Sequence, residues 1–160
     1  MSNTIKLSMK IIKELNIDRD TVTLIEKLDK ENLGEPSKFF PKEGINPLKT
    51  NGTKPQAWEK NWVWYYNREW AIFEAEIQDK RLPTIEEWGK ICKPFWKDWN
   101  MLSKELNLPM DGVFYINGSC YWSSSLYLTY AYYLYLTESN INSSNYKIKT
   151  IDYFIRCIKK

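Results

Sequence analysis

The chain has 160 residues, of which 16% are aromatic and 27% charged, and its formal net charge is +3. This composition excludes collagen, a coiled coil and a disordered chain, and a domain of this length buries about 68–70% of its unfolded surface. Histidine is absent, which excludes Ser-His and Cys-His nucleophile pairs and the histidine ligands of zinc, copper and iron sites.

Charge and apolar pattern predict neither a nucleic-acid partner nor membrane insertion. The positive excess is too small to attract nucleic acid or a membrane surface, and no stretch approaches the ~18 continuous apolar residues of a membrane span. No targeting segment is visible, because Lys6, Lys10 and Lys13 interrupt the apolar residues near the start. We therefore expect a cytoplasmic or virion-associated protein.

The residues from 4 to 33 are predicted to form two helices. Asp20 can cap the second helix and Gly34 can end it. Apolar residues with roughly helical spacing mark this region: Ile5, Met9, Ile12 and Ile17.

The composition changes abruptly near residue 36. Residues 35–57 contain four prolines and two glycines with few regular apolar positions, which is typical of an irregular connection. We therefore predict a helical N-terminal extension at residues 1–35 and a main domain at residues 36–160.

A third helix is predicted from Asn67. Ala71 and Ala75 are small residues that allow close approach of a neighbouring element, and the helix should end by Arg81 because Pro83 disfavours helical backbone at the residue before it.

Thr84 and Glu87 have the spacing of a capping box, which predicts a fourth helix with Trp88 on its buried face. A fifth helical segment follows Pro94. Its apolar face consists of Phe95, Trp99, Leu102 and Leu106.

After Pro109 the apolar pattern changes from helical to extended. A hairpin is predicted at residues 113–116 and 119–122, because Asn117-Gly118 is favoured in two-residue turns. Since helices precede antiparallel strands, the predicted class is α+β.

Two more strands are predicted downstream. The first covers residues 131–136 and places Tyr132, Leu134 and Leu136 on one face and Ala131, Tyr133 and Tyr135 on the other. The second covers residues 153–159 and alternates Ile155 and Cys157 against Arg156.

Two blocks of residues resemble known families with a C-type lectin-like fold. Trp70-Ala71, Ala75, the run Lys80-Arg81-Leu82-Pro83-Thr84 and Glu87-Trp88 are similar to the second-helix segment of the sulfatase-modifying (formylglycine-generating) family. The downstream block resembles the Fibrobacter succinogenes major paralogous domain of bacteria and phages. That block consists of Tyr121 to Ser125, Ala131 to Tyr135, Ser139 to Asn142 and Ile155 to Ile158.

The resemblance covers about residues 58–160 and implies two helices packed on small antiparallel sheets with a long looped region. The residues that carry its structural motif are Arg81, Pro83, Thr84, Glu87, Trp88, Trp122, Arg156 and Cys157.

In relatives near diversity-generating retroelements, the tract between the Trp-Ser-Ser and Arg-Cys motifs is the variable, displayed surface. Here that tract is rich in Tyr, Asn and Ser, which antibody paratopes also use. The resemblance therefore implies a non-enzymatic module that binds a protein or glycan through residues 123–147, in adhesion or phage-host recognition. The candidate ligand-binding residues are Tyr127, Tyr130, Asn140, Asn142, Asn145, Tyr146 and Lys147.

We expect no cofactor and no metal, and we expect residues 1–33 to dock the domain onto a larger assembly. The three cysteines are an odd count without repeated spacing, which predicts three buried thiols. Two alternatives stay open. One is a sulfatase-modifying-type enzyme that uses Cys120 and Cys157, and the other is a purely structural assembly subunit.

Overall fold

A computed structural model describes residues 3–36, 57–60, 63–109, 118–137, 140–148 and 153–160. Its helices are α1 (Met9–Glu14), α2 (Arg19–Ile25), α3 (Arg68–Ile77), α4 (Ile85–Cys92) and α5 (Trp99–Leu106), and a short 3₁₀ turn covers Lys93–Phe95. Its strands are β1 (Ala57–Lys60), β2 (Val63–Tyr66), β3 (Lys80–Arg81), β4 (Gly118–Tyr127), β5 (Tyr130–Thr137), β6 (Asn140–Ile148) and β7 (Ile158–Lys159).

Helices and small antiparallel sheets make up the described residues, which confirms the α+β class. The largest of these sheets has the order β4-β5-β6, and two strand pairs, β1 with β2 and β3 with β7, form smaller sheets. The C-type lectin-like architecture stays a prediction.

The β4-β5-β6 sheet separates two apolar cores. Because successive strand residues point to opposite faces, the neighbours Tyr121 and Trp122 enter different cores. The first core includes Ile25, Leu28, Trp88, Ile91, Tyr121, Leu134, Leu136 and Phe154, with Tyr132 packed against it. The second includes Tyr66, Trp70, Ala71, Trp122, Ala131, Tyr133, Ile155 and Cys157, with Tyr135 packed against it. The two predicted faces of residues 131–136 are confirmed.

The N-terminal helices differ from the prediction in their cap and their buried face. Asp18, not Asp20, caps α2, because its carboxylate accepts a hydrogen bond from the Thr21 backbone N–H at 2.8 Å. Met9 is 67% exposed, and Ile5 lies before α1, which begins at Met9. The α2 helix ends at Ile25, so Gly34 does not end it.

Residues near the N-terminus nevertheless belong to the common core. Ile5, Ile25 and Leu28 are buried beside α4 and β5 in the first core. The Asp29 backbone N–H donates to the Cys157 carbonyl at 2.8 Å. The division at residue 35 stays a prediction, but the described N-terminal residues do not form a core of their own.

The prediction of the third helix is confirmed, whereas that of the fifth needs a correction. Asn67 caps α3, and both predicted small residues of this helix, Ala71 and Ala75, are fully buried. The predicted helical segment after Pro94 is split, because Phe95 lies in the 3₁₀ turn and α5 begins only at Trp99.

The predicted hairpin lies partly outside the described residues, which omit 110–117. Residues 118–122 belong to β4, whose hairpin partner is β5, and the turn between them is Leu128-Thr129. The predicted strand at 153–159 is shorter, because only Ile158–Lys159 forms a regular strand and residues 153 and 154 make isolated bridges.

The predicted looped region of the display tract is mostly sheet. In residues 123–147, the described backbone continues β4 and forms β5 and most of β6. The Tyr-rich sequence of β5 has high β propensity, and β6 is joined to it by backbone pairing that needs no particular side chain. The loop implied by the resemblance is therefore strand in the described parts of β4 and β6, whereas the strand at residues 131–136 agrees with the sequence prediction.

Candidate functional site

Four tyrosines meet at the end of the central sheet and form what we call the tyrosine cluster: Tyr127, Tyr130, Tyr132 and Tyr146. Tyr127 lies opposite Tyr130 across the β4–β5 hairpin, and Tyr132 lies opposite Tyr146 across β5 and β6. Side chains opposite each other in a sheet share a face, so all four lie on the face of the first core.

Tyr146 is the centre of the cluster. Its ring stacks on Tyr127 with the centroids 4.5 Å apart, and it contacts Tyr130 at 5.8 Å and Tyr132 at 5.7 Å. Aromatic pairs at such distances favour each other beyond simple burial. The structure thus brings together three of the predicted ligand-binding residues, and Tyr132 is a fourth member that was not predicted from the sequence.

The cluster is anchored on its inner side and open on its outer side. Tyr132 is half-buried and packs against the first core, whereas Tyr127, Tyr130 and Tyr146 are exposed, Tyr146 at 44%. This arrangement presents rigid aromatic rings to solvent.

The turn at the hairpin tip adds an unusual apolar residue. Leu128 is 79% exposed and has a φ of 54°. Positive φ at the first position of a two-residue turn is typical of glycine, and for a bulky residue it is a strained conformation. No glycine or asparagine lies between residues 127 and 130, so no sequence signal marked this turn.

The polar candidates lie elsewhere on β6. Asn145 and Lys147 flank Tyr146 along the strand, so they point to the opposite face of the sheet. Asn145 is half-buried and Lys147 is exposed. Asn140 and Asn142 pair with β5 through their backbone, and their side chains lie outside the described part of the chain.

An irregularity in β4 at the base of the hairpin is held by α3. The pairing register shifts between Trp122 and Leu126. The Arg68 guanidinium donates to the Ser124 carbonyl at 2.7 Å and to the Ser123 carbonyl at 3.3 Å. The buried Arg68 side chain satisfies both carbonyls. It therefore fixes the backbone at this bulge and the direction in which the hairpin tip projects.

The start of α4 is also tied to the bulge. The Ile85 backbone N–H donates to Ser125 Oγ at 2.8 Å, and the Ser124 N–H donates to the Pro83 carbonyl at 2.8 Å. The predicted capping box is confirmed, with Thr84 and Glu87 satisfying each other's backbone N–H at 2.9 and 3.1 Å.

Arg81 also binds the start of α4, through Glu87. Its guanidinium donates to both carboxylate oxygens of Glu87, at 2.6 and 2.8 Å. These hydrogen bonds lower the pKa of Glu87 and raise the pKa of Arg81. The motif residues at the start of α4 thus support the hairpin.

No family model, curated protein or solved structure matches this chain. The candidate site therefore depends on geometry alone.

The other motif residues lie in the interior. The Trp122 indole donates to the Tyr66 carbonyl at 3.1 Å, and the Trp88 indole donates to the Trp122 carbonyl at 3.2 Å. Arg156 is buried over the Tyr121 ring, 5.6 Å from its centroid. These residues join the two cores through the sheet.

The cysteines named in the enzyme alternative are buried and are not joined in a disulfide. Cys120 and Cys157 both belong to the second core. Burial raises the pKa of the Cys157 thiol to about 12, so this thiol is protonated at neutral pH, whereas nucleophiles and metal ligands are thiolates. In the described ranges, no three Cys, Asp or Glu side chains group as metal ligands would, and no helix is long and apolar enough to cross a membrane.

Proposed function

We propose that this chain is a non-enzymatic binding module of C-type lectin-like type, and that the tyrosine cluster with Leu128 binds a protein ligand. The resemblance of the sequence supports the lectin-like architecture. The clustering of predicted ligand-binding residues at the hairpin tip supports the location of the binding surface. The observation that carries the proposal is the conformation and exposure of Leu128.

Leu128 has no structural reason to be leucine. It is almost fully exposed, so its side chain gains little from burial, and glycine would adopt its positive φ without strain. Residues in strained backbone conformations lower the stability of the fold, and they are concentrated at functional sites. A leucine projecting beside exposed tyrosines is the kind of anchor that fills a pocket on a partner.

The composition of the tip favours a protein ligand over a glycan. Exposed Leu128 adjoins the cluster at the hairpin turn, and Tyr127 and Tyr146 cover one face of each other's ring. Aromatic and aliphatic area without charge is typical of the centre of protein interfaces. A sugar would instead require an open ring face with several hydrogen-bonding groups around it.

The resemblance also suggests that residues 123–147 are diversified and serve adhesion or phage-host recognition. A reverse-transcriptase gene and a template repeat matching residues 121–157 beside the gene would support this part of the proposal.

Selection of a displayed peptide library tests the binding surface without a known ligand. Peptides are selected on the wild-type protein and then compared on Leu128→Gly, Tyr146→Ala and the control Lys104→Ala, whose exposed residue lies on α5. We expect tip-dependent peptides to lose at least about tenfold in affinity with the first two variants and to keep it with the control. If every selected peptide binds all variants equally, the tip is not the binding surface.

Two further measurements separate the alternatives. A glycan array that is positive for the wild type and negative for Tyr146→Ala would replace the protein ligand with a glycan. Sedimentation that shows self-association through the tip, abolished by Leu128→Gly, would instead support the structural subunit.

A further inference from the structure

A groove remote from the tyrosine cluster runs between the N-terminal helices and α4. It has a volume of about 980 Å³, and its walls come from residues 15–27 on one side and residues 87–96 on the other. Both walls belong to elements that pack on the first core, so the groove is part of the fold.

Unpaired positive charge dominates this groove. Its exposed cations are Arg19, Lys27, Lys90 and Lys93. None of these four forms an ion pair with another residue in the described part of the chain.

The carboxylates of the groove offset part of this charge. Glu87 is paired with Arg81, which neutralises it. Asp18 accepts hydrogen bonds from the backbone and side chain of Thr21, but it keeps its negative charge and interacts with Lys90. Four cations therefore face two charged carboxylates, Asp18 and Asp20.

The same groove offers apolar contact area. Trp96 is 63% exposed at one end, with the Lys97 ammonium 4.8 Å from its ring centroid. Leu15, Leu24 and Pro94 contribute half-buried apolar surface. A ligand that fits must carry negative charges and apolar groups together.

We propose that this groove binds an acidic peptide segment of a partner protein, in which carboxylates alternate with apolar side chains. Carboxylates would pair with the lysines and arginine, and the apolar side chains would cover Trp96 and the leucines. Nucleic acid fits less well, because the apolar lining lies among the cations and Asp20 would repel a continuous row of phosphates. This proposal is independent of the ligand at the tip.

Fluorescence anisotropy with a labelled peptide of Glu and Leu tests this site. The full chain is titrated against that peptide and against a peptide of the same length built of Gln and Leu. We expect binding of the acidic peptide only, weakened as salt is raised.

Matched variants locate the binding. Lys90→Glu with Lys93→Glu should weaken binding by more than about tenfold, whereas the control Lys6→Glu with Lys104→Glu makes the same charge change outside the groove and should leave binding unchanged. Trp96→Ala should weaken binding as well, and thermal unfolding checks that each variant is folded.

Three results would overturn the proposal: no binding of the acidic peptide, equal loss in the two charge variants, or tighter binding of a single-stranded oligonucleotide at the same salt. Leu128→Gly should not change acidic-peptide binding. Failure at the groove is therefore distinguishable from failure at the tip.

Discussion

At the scale of single residues, Glu87 links a helix cap to an ion pair. The hydrogen bonds from Arg81 hold its folded-state pKa below the ordinary value of 4.5. A lowered carboxylate pKa stabilises the fold above the ordinary pKa, and this contribution is lost as the pH falls through the folded-state pKa.

We predict that Glu87→Gln lowers the free energy of unfolding at neutral pH by about 1–2 kcal/mol, because the amide cannot replace the charged partner of Arg81. The stability of the variant should also fall less than that of the wild type as the pH is lowered below 4.5. Denaturant unfolding across pH measures both effects. The control is Glu86→Gln at an exposed neighbouring position, and identical pH profiles for the two variants would contradict the prediction.

The buried cysteines lead to a second prediction at this scale. All three thiols are buried, and burial raises the pKa of Cys92 and Cys157. We expect no reaction of the native protein with a thiol reagent over minutes, and reaction of all three thiols in denaturant. Rapid modification of a thiol in the native state would favour the enzyme alternative.

At the scale of elements, the hairpin tip gives a prediction in which stability and binding change in opposite directions. Leu128→Gly removes the strain of a positive φ and should raise the free energy of unfolding by about 1 kcal/mol, while it weakens ligand binding at the tip. Thr129→Gly is the matched control, because Thr129 is not among the residues with positive φ, and glycine there should lower stability. A less stable Leu128→Gly variant would show that the leucine stabilises the turn.

Local patterns explain which elements could be predicted from the sequence. The capping box of α4 and the two faces of β5 each depend on residues a few positions apart, so spacing alone revealed them. The turn at Leu128-Thr129 could not be predicted, because its residues are not those that turns prefer. Contact between Tyr146 and Tyr127 depends on the register of β6, which is irregular between Tyr133 and Tyr135 and has no local signal.

At the scale of the whole molecule, the N-terminal residues change what deletion is expected to do. The sequence alone predicts that the chain remains folded without residues 1–33. Because Ile25 and Leu28 are fully buried in the first core, we now expect this deletion to unfold the protein, as measured by circular dichroism.

Single substitutions test whether the N-terminal residues stabilise the fold by packing in the core, without shortening the chain. Leu28→Ala should lower the free energy of unfolding by about 2–5 kcal/mol through the cavity it leaves, whereas Met9→Ala, at an exposed position, should change it by less than about 0.5 kcal/mol. If the deletion variant is folded and Leu28→Ala has only a small effect on stability, residues 1–33 are a separate docking extension, as the sequence alone predicts. The composition change near residue 36 could not show this packing, because Lys27, Asp29 and Leu33 form backbone hydrogen bonds with residues 155–159, far along the chain.

The segment from residue 153 to residue 159 has a consequence for folding kinetics. Its backbone hydrogen bonds reach Lys27, Asp29, Leu33, Tyr66 and Cys120, so it joins parts of the chain that are distant in sequence. Closing such long loops costs entropy before the contacts stabilise them, and a fold rich in distant contacts forms slowly. During synthesis, neither core can be completed until this segment has left the ribosome, because its residues belong to both cores.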